Sequence, residues 1–235
     1  DAGVCPMQRM IDRCRTTGIS PWVSLRMNDV HDAPWTKSPL HSQFWKEHPQ
    51  YWRRNSDPCG SWYDRCLNYG LKPVRDRMMA LIREVCDRYD VDGLELDWLR
   101  FPAHFREGEE IEQGKGLTEW MVEVRAVVRA AAEKRKHPVW LMARVPARPD
   151  VSRGIGLDAV AWAKRGLIAH PSVGPFWATT AFDIPVEQWV ELLRGTGVGV
   201  TASLEALVQP YPGAPQLETT TEQSRGAAMS ALAHG

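Results

Sequence analysis

The sequence predicts an α/β fold, specifically a (β/α)8 TIM barrel that is incomplete because its first two strands and its last strand are missing. The length of 235 residues suits one large domain, and apolar and charged fractions of 43% and 25% are those of a globular chain. Predicted strands also alternate with predicted helices, as parallel βαβ units require. We therefore assign residues 1–235 to a single domain with an inserted loop at about residues 28–71.

The first half of the chain shows this alternation around one long insertion. Apolar spacing predicts a helix over Val4–Arg15, a strand over Ile19–Met27, a helix over Lys72–Tyr89 and a strand over Val91–Leu99. The polar, aromatic stretch between the first strand and the second helix is much longer than most loops between such elements. It therefore indicates an insertion on a functional face.

The second half continues the same order. It predicts helices over Leu117–Arg135, Leu157–Lys164, Val186–Arg194 and Thr221–Ala233, and strands over Val139–Val145, Leu167–Trp177 and Val198–Val208. Five strands are fewer than the eight of a closed barrel, and the sequence ends where another strand is expected, which indicates a fragment. A doubly wound open sheet is the alternative, but no glycine-rich phosphate loop follows a strand; the nearest match, around Gly154 and Gly156, lacks the third glycine.

Composition excludes several classes of function. The 29 basic residues balance 29 acidic residues, so nucleic-acid binding has little electrostatic basis. No apolar stretch reaches the roughly 18 residues that span a bilayer. The five cysteines include no CxxC pair, so a thiolate zinc site and a full disulfide framework are both disfavoured, although one bridge between Cys59 and Cys66 stays open.

Tryptophan is unusually abundant, with 11 residues against five tyrosines and five phenylalanines. Trp98 and Trp162 have apolar neighbours and are predicted in the core, whereas Trp177 follows a strand and is predicted to line a cleft. His41 and His48 are predicted to be solvated. Four tryptophans of the insertion are open to two interpretations, stacking against sugar rings or packing of the loop on itself: Trp35, Trp45, Trp52 and Trp62.

Side chains alternate between the two faces of a strand, and this parity separates polar from apolar residues. In the second predicted strand Glu95 and Asp97 share one face, while Leu94 and Leu96 share the other. The same alternation places further polar residues on the equivalent face near the carboxyl ends of other strands: Arg26, Asn28, Arg144 and Glu205. Barrel enzymes hold their chemistry at that end, so we expect these groups to converge; a structural salt-bridge layer is the alternative.

The segment YDVDGLELDWLRFP (Tyr89–Pro102) resembles the core of bacterial glycosyl-hydrolase-like barrels. Four further segments are similar to that group in the same order: SLRMNDVHD (Ser24–Asp32), NYGLKPVRD (Asn68–Asp76), ARVP (Ala143–Pro146) and GLDAVAW (Gly156–Trp162). The resemblance implies a glycoside-hydrolase-like barrel domain with a carbohydrate substrate. Chitinase-type barrels carry DGxDxDxE on their fourth strand, but Leu99 stands where the catalytic glutamate would be, which disfavours the substrate-assisted mechanism.

By the same analogy, strands four and seven of many retaining glycosidases carry the catalytic glutamates, and Glu95 and Glu205 fall on the matching strands. Glycoside cleavage needs one carboxyl group that holds a proton and one that stays ionised. We therefore expect Glu95 as acid/base, Glu205 as nucleophile or base, and Asp97 as a tuning residue or substrate ligand. The expected substrate-binding residues are Arg26, Asn28, Asp29, His31, Arg100, Arg144 and Trp177, and an arginine among them would hold one carboxylate ionised.

Two other functions fit the same residues. One is a catalytically inactive barrel that binds glycan, and the other is a metal-dependent hydrolase that uses Asn28, Asp29, His31 and Asp32. The glycoside hydrolase interpretation requires no metal and no cofactor. The expected polysaccharide substrate is the sole basis for expecting export to the periplasm or the medium.

Overall fold

A five-stranded parallel sheet forms the centre of the structure, a computed structural model that describes residues 3, 5–54, 60–177, 183–211 and 213–235. The strands lie side by side in chain order: β1 Trp22–Arg26, β2 Gly93–Asp97, β3 Trp140–Pro146, β4 His170–Gly174 and β5 Thr201–Ala202. The predicted parallel sheet is therefore confirmed. Within the described residues β1 and β5 are the two ends of an open sheet, and no closed barrel is shown.

Helices connect the strands in the predicted order. They are α1 Pro6–Thr16, α2 Gln43–Glu47, α3 Lys72–Arg88, α4 Glu110–Arg135, α5 Pro149–Gly154, α6 Ala159–Lys164, α7 Val186–Leu193 and α8 Thr221–Ala233. Helix α4 begins seven residues before its predicted start. In this added part Gly114 packs against the backbone of Gly156, where a Cβ atom would lie 2.6 Å from the carbonyl oxygen. In the described ranges, no helix has the length and apolar character needed to cross a bilayer.

The prediction of one strand over Val198–Val208 is wrong. Only Thr201–Ala202 joins the sheet, and the chain then leaves it to form an antiparallel hairpin of β6 Leu207–Val208 and β7 Leu217–Glu218. The sheet hydrogen bonds end where the Ser203 amide donates to the Val173 carbonyl at 2.7 Å. Tertiary pairing in the hairpin thus overrides an apolar alternation that extends further along the sequence.

The two faces of the sheet differ as the parity predicts. Leu94, Leu96 and Leu141 are fully buried on the face that packs against the helices. The opposite face is open, and it exposes Trp22 by 37% and Trp140 by 49% at the amino ends of their strands. At the carboxyl end of this face Arg26 and Arg144 keep exposed surface, whereas Asp97 between them is buried.

The insertion is more ordered than a polar loop would be, because it contains α2 and two 3-10 helices, Pro49–Tyr51 and Trp62–Arg65. Trp45 and Trp52 are buried and pack on each other with ring centroids 4.4 Å apart, so these two tryptophans serve loop packing. The prediction that His41 is solvated is wrong: its ring stacks on Trp45 at 3.8 Å and is buried. The bridge proposed from Cys59 lies outside the described residues.

Close packing at the amino end of β2 gives a first prediction. A Cβ atom at Gly93 would meet the Trp22 ring at 2.3 Å, so Gly93→Ala forces the indole away from the sheet and should lower the free energy of unfolding by about 1–3 kcal/mol. Urea denaturation measures the change. Gly116→Ala in α4 is the matched control, because a Cβ atom there meets nothing within 4 Å, and it should leave stability unchanged or raise it by about 0.5–1 kcal/mol. Equal losses in both variants would contradict the packing argument.

Candidate functional site

One row of polar residues crosses the whole sheet near its carboxyl edge. The parallel register aligns Arg26 with Asp97, Asp97 with Arg144, Arg144 with Ser172, and Ser172 with Thr201. Neighbouring strands lie about 4.8 Å apart, so adjacent members of the row are within reach of one another. The sheet therefore brings together three residues that the sequence placed on separate strands: Arg26, Asp97 and Arg144.

Asp97 is the buried centre of this row, with 5% of its surface exposed. Its carboxylate accepts hydrogen bonds from Arg144 Nη1, at 3.3 Å to Oδ1 and 3.2 Å to Oδ2. The backbone amides of Leu99 and Arg100 also donate to Oδ1, each at 3.1 Å. All of these partners are donors, which suits an ionised carboxylate because that group can only accept.

Glu95 lies one row closer to the amino end of β2, on the same face as Asp97. The side chain is half-buried, and its Oε1 accepts a hydrogen bond from the Ser24 hydroxyl at 2.7 Å. No arginine, lysine or histidine forms an ion pair with it in the part of the chain that the structure describes. The two carboxyl groups of β2 therefore have different partners, a hydroxyl for Glu95 and a guanidinium for Asp97.

A chain of polar contacts links the loops that follow β1 and β2. Arg26 donates to Asp29 at 2.8 Å, and Asp29 bonds His31 Nδ1 at 2.5 Å. Arg100 donates to His31 Nε2 at 2.8 Å, and since a guanidinium only donates, the proton of the ring lies on Nδ1 and faces Asp29. Burial alone would raise the pKa of Asp29, but the hydrogen bonds from Arg26 and His31 outweigh it and hold that pKa below its ordinary value.

Arg100 is covered by aromatic rings and surrounded by like charge. Its guanidinium lies 4.5 Å from the ring centre of Trp177 and 5.1 Å from that of Phe101. Burial lowers the pKa of Arg100, and the positive charges of Arg26 and Arg144 lower it further against the opposing effect of nearby aspartates. Trp177, which was expected to line a cleft, therefore lies against Arg100.

Strained backbone conformations occur at the same carboxyl edge of the sheet. Among the described residues of the loops that follow strands, three other than glycine adopt positive φ: Asp32 at 58°, Phe101 at 52° and Trp177 at 55°. Such conformations are unfavourable for bulky side chains and persist only where surrounding contacts hold them. The loops after β1, β2 and β4 thus each contain one strained residue near the polar row.

Asn28 is not accessible, although it was expected to bind substrate. It is 2% exposed, its Oδ1 accepts the Leu67 amide at 2.8 Å, and its Nδ2 lies 3.1 Å from Nδ1 of His104. His104 completes the network with Nε2 2.8 Å from the Trp98 carbonyl oxygen. This buried network fixes the insertion and the loop after β2 to the end of β1.

Glu205 is not brought to the other carboxyl groups. It follows β5, two strands beyond β3, on the segment that leads into the hairpin. Its Oε1 accepts the amide of Ala206 at 2.9 Å, and its carbonyl oxygen accepts the Thr219 hydroxyl at 3.0 Å. No described contact joins Glu205 to Glu95 or Asp97.

The residues considered as metal ligands bond to protein groups. Asp29 and His31 bond to each other, and Asp32 accepts the Ser38 hydroxyl at 3.0 Å. Among the described residues, no three His, Cys, Asp or Glu side chains are grouped as a metal site.

Sequence reasoning did not single out several neighbours of the site. Ser24 and Ser172 occupy the polar face; the alternation along the first strand places Ser24 there with Arg26, but sequence reasoning gave neither serine a role. The rings of Phe101 and of Trp62 in the insertion both lie near the His31 ring, with centroids 5.0 Å and 6.3 Å from its centroid. The two aromatic contacts carry no local sequence signal, because they depend on how distant loops fold together.

Comparison with known proteins shows likeness of fold without likeness of sequence. No protein-family model matches the chain, and no curated protein sequence matches it significantly. The galactosidase domain of an α-galactosidase–sucrose kinase superposes with a TM-score of 0.51 at 12% identity over 97% of this chain and 28% of that chain. This similarity shows a glycoside-hydrolase-like fold and nothing finer.

Two further structures are similar at lower scores. A family 18 N-acetylglucosaminidase from Paenibacillus barengoltzii has a TM-score of 0.47 at 13% identity, over 93% of this chain and 62% of that one. A family 36 α-galactosidase from Geobacillus stearothermophilus, in complex with stachyose, has a TM-score of 0.47 at 12% identity, over 95% and 29%. The chain spans less than two thirds of the length of each of the three structures.

The buried histidine of the site gives a prediction for stability. Burial lowers the pKa of His104 from 6.5 to about 4, so the unfolded chain binds this proton before the folded chain does. The contribution of neutral His104 to the free energy of unfolding should be fully present above pH 6.5 and should decrease by about 3 kcal/mol as the pH falls to 4. Urea denaturation of the parent and of His104→Asn from pH 7 to pH 4 measures this, and the variant should lose less stability over that range.

His137 provides a control of opposite sign. A hydrogen bond to Asp90 raises the pKa of His137, so this residue contributes stability at low pH that is lost as pH rises through its folded pKa. His137→Gln should therefore make the loss on acidification larger than in the parent. A variant of His104 whose pH dependence matches that of the parent would contradict the role assigned to the buried ring.

Proposed function

We propose that this chain acts on carbohydrate as a glycoside hydrolase, cleaving an oligosaccharide or polysaccharide at the carboxyl edge of its sheet. One observation carries the proposal: Glu95 and Asp97 share the open face of β2 at the edge where the arginine row and the strained loops meet. The fold-level likeness to a galactosidase domain supports a carbohydrate-related function.

Glycoside cleavage requires two carboxyl groups in different states, and the partners in β2 supply a basis for that difference. The Asp97 carboxylate accepts hydrogen bonds from one guanidinium and two backbone amides, so it is suited to the ionised role of nucleophile or base. Glu95 accepts one hydrogen bond from a neutral hydroxyl and has no cationic partner among the described contacts, so we assign to it the supply of the proton that the leaving oxygen needs. Asp97 is thereby favoured over Glu205 as the partner of Glu95, because Asp97 shares a strand face with Glu95 whereas Glu205 follows β5, three strands away.

A second candidate function is supported by the same geometry. The Asp97 carboxylate pairs with Arg144 through two contacts, and a carboxylate held in this way can serve recognition instead of bond cleavage. A barrel-like sheet that binds glycan without cleaving it would retain the arginine row and the exposed aromatic residues. Binding without turnover separates this candidate from the hydrolase.

Substitution of the two carboxyl groups gives the direct test. Glu95→Gln removes the proposed proton donor and Asp97→Asn removes the proposed ionised partner, so each should lower the rate of reducing-end release by about 100-fold to 10,000-fold. Glu205→Gln should lower it by less than tenfold. The measurement is reducing-sugar release from a panel of polysaccharides, followed by rates on the best substrate.

Glu119→Gln is the matched control, since Glu119 is exposed on α4 and pairs with Arg165 away from the sheet face. It should keep the parent rate. Glycan binding with no sugar release by the parent would favour the second candidate. A loss confined to Glu205→Gln would reverse the assignment of the two partners.

A further inference from the structure

The arginine side chains at the carboxyl edge differ in whether a carboxylate pairs with them. Three guanidinium groups, those of Arg26, Arg100 and Arg144, lie near two carboxylates, those of Asp29 and Asp97. Each carboxylate is already paired, Asp29 with Arg26 at 2.8 Å and Asp97 with Arg144 at 3.2 Å. The third guanidinium therefore has no carboxylate of its own at this edge.

Arg100 is that third group. In the described ranges no carboxylate lies within 4 Å of its nitrogens, and its hydrogen-bond partner is the neutral acceptor Nε2 of His31. The Nε atom of Arg100 is buried and has no hydrogen-bond partner. An unpartnered buried donor is costly, so the Arg100 guanidinium has hydrogen-bonding capacity that the described protein groups do not use.

The surroundings hold this group in place for a ligand. Trp177 and Phe101 lie against the guanidinium plane, which restricts its rotamers, and Trp177 is itself 41% exposed. A guanidinium offers a planar set of donors that matches a carboxylate or a sulfate with two parallel hydrogen bonds. A sugar ring that bears such an anion would meet Arg100 and an exposed aromatic side chain together.

We propose that the glycan bound at this edge is acidic and that Arg100 binds its anionic substituent, with Arg26 and Arg144 contributing attraction from either side of Asp97. This inference rests on the proposed function and specifies its substrate class. A uronic acid carboxylate and a sulfate ester share the relevant chemistry, namely a planar or pyramidal group of oxygen acceptors that carries negative charge.

Calorimetric titration of the 235-residue chain tests the inference with matched ligands. One pair is an oligogalacturonate and the same oligomer after reduction of its carboxyl groups to neutral galactose units. The other pair is a sulfated galactan oligomer and its desulfated form. At least one charged member should bind about tenfold more tightly than its neutral partner, with an affinity that decreases as sodium chloride is added.

Variants of Arg100 identify the residue responsible. Arg100→Gln should weaken binding of the charged ligand by about tenfold to a hundredfold and leave binding of the neutral partner unchanged. Arg100→Lys keeps the charge without the planar donor set and should fall between the two. Arg194→Gln, in which an exposed arginine at the end of α7 is replaced, should bind as the parent does.

The possible results are distinct. Preference for the uronate pair or for the sulfate pair supports the inference and identifies the anion. Equal or tighter binding of both neutral oligomers overturns the inference and leaves the proposed function standing. Binding of neither pair, together with no sugar release from the polysaccharide panel, overturns the proposed function itself. If Arg100→Gln does not fold by circular dichroism, the Arg100→Lys variant and the salt dependence of the parent decide the matter.

Discussion

The alternation of side chains along β2 is the constraint on which the rest of the molecule depends. Leu94 and Leu96 are completely buried against the helices, and this burial fixes the register of the strand. Because the period is two residues, Glu95 and Asp97 must then lie on the open face. A shift of the β2 register by one residue would place both carboxyl groups in the apolar core. This would be prohibitive, because burial of an unpaired charge costs a large free energy. The apolar packing of the fold therefore determines where the chemistry lies.

The polar row depends on the parallel register in turn. Arg26, Asp97 and Arg144 come from three segments that are far apart in sequence, and only the pairing of β1, β2 and β3 places them side by side. The loops beyond the row are fixed by different forces. The buried hydrogen-bond network of Asn28 and His104 holds the insertion against the end of β1. Buried polar groups therefore fix the loop beside the candidate site. Rigidity of this kind positions the functional groups before a ligand arrives.

Much of this arrangement follows from local sequence, and the remainder does not. Parity alone predicted that Glu95, Asp97, Arg26 and Arg144 share a face, because the period of a strand is a local property. The position of Glu205 depends on whether the chain stays in the sheet after Ala202. It leaves the sheet to form a hairpin with Leu217–Glu218, and that partner strand is distant in sequence. The burial of Asn28 could not be predicted either, since its partners Leu67 and His104 belong to other loops. Long-range packing, which leaves no periodic signal, decided each of these cases.

The open face has two chemically different ends, and this limits what a ligand can touch. Trp22 and Trp140 lie in the row at the amino end, four residues from Arg26 and Arg144 along their strands. At about 3.3 Å per residue, the two rows are separated by about 13 Å. A sugar ring seated on the arginine row therefore does not reach those tryptophans, despite their exposure. Any aromatic stacking at the candidate site must come from the strained loops at the carboxyl edge, where Trp177 already contacts Arg100. If the proposed glycan binds at this edge, the same side chain would contact both its ring and its anionic substituent, so the proposal predicts different affinities for a neutral and an acidic sugar.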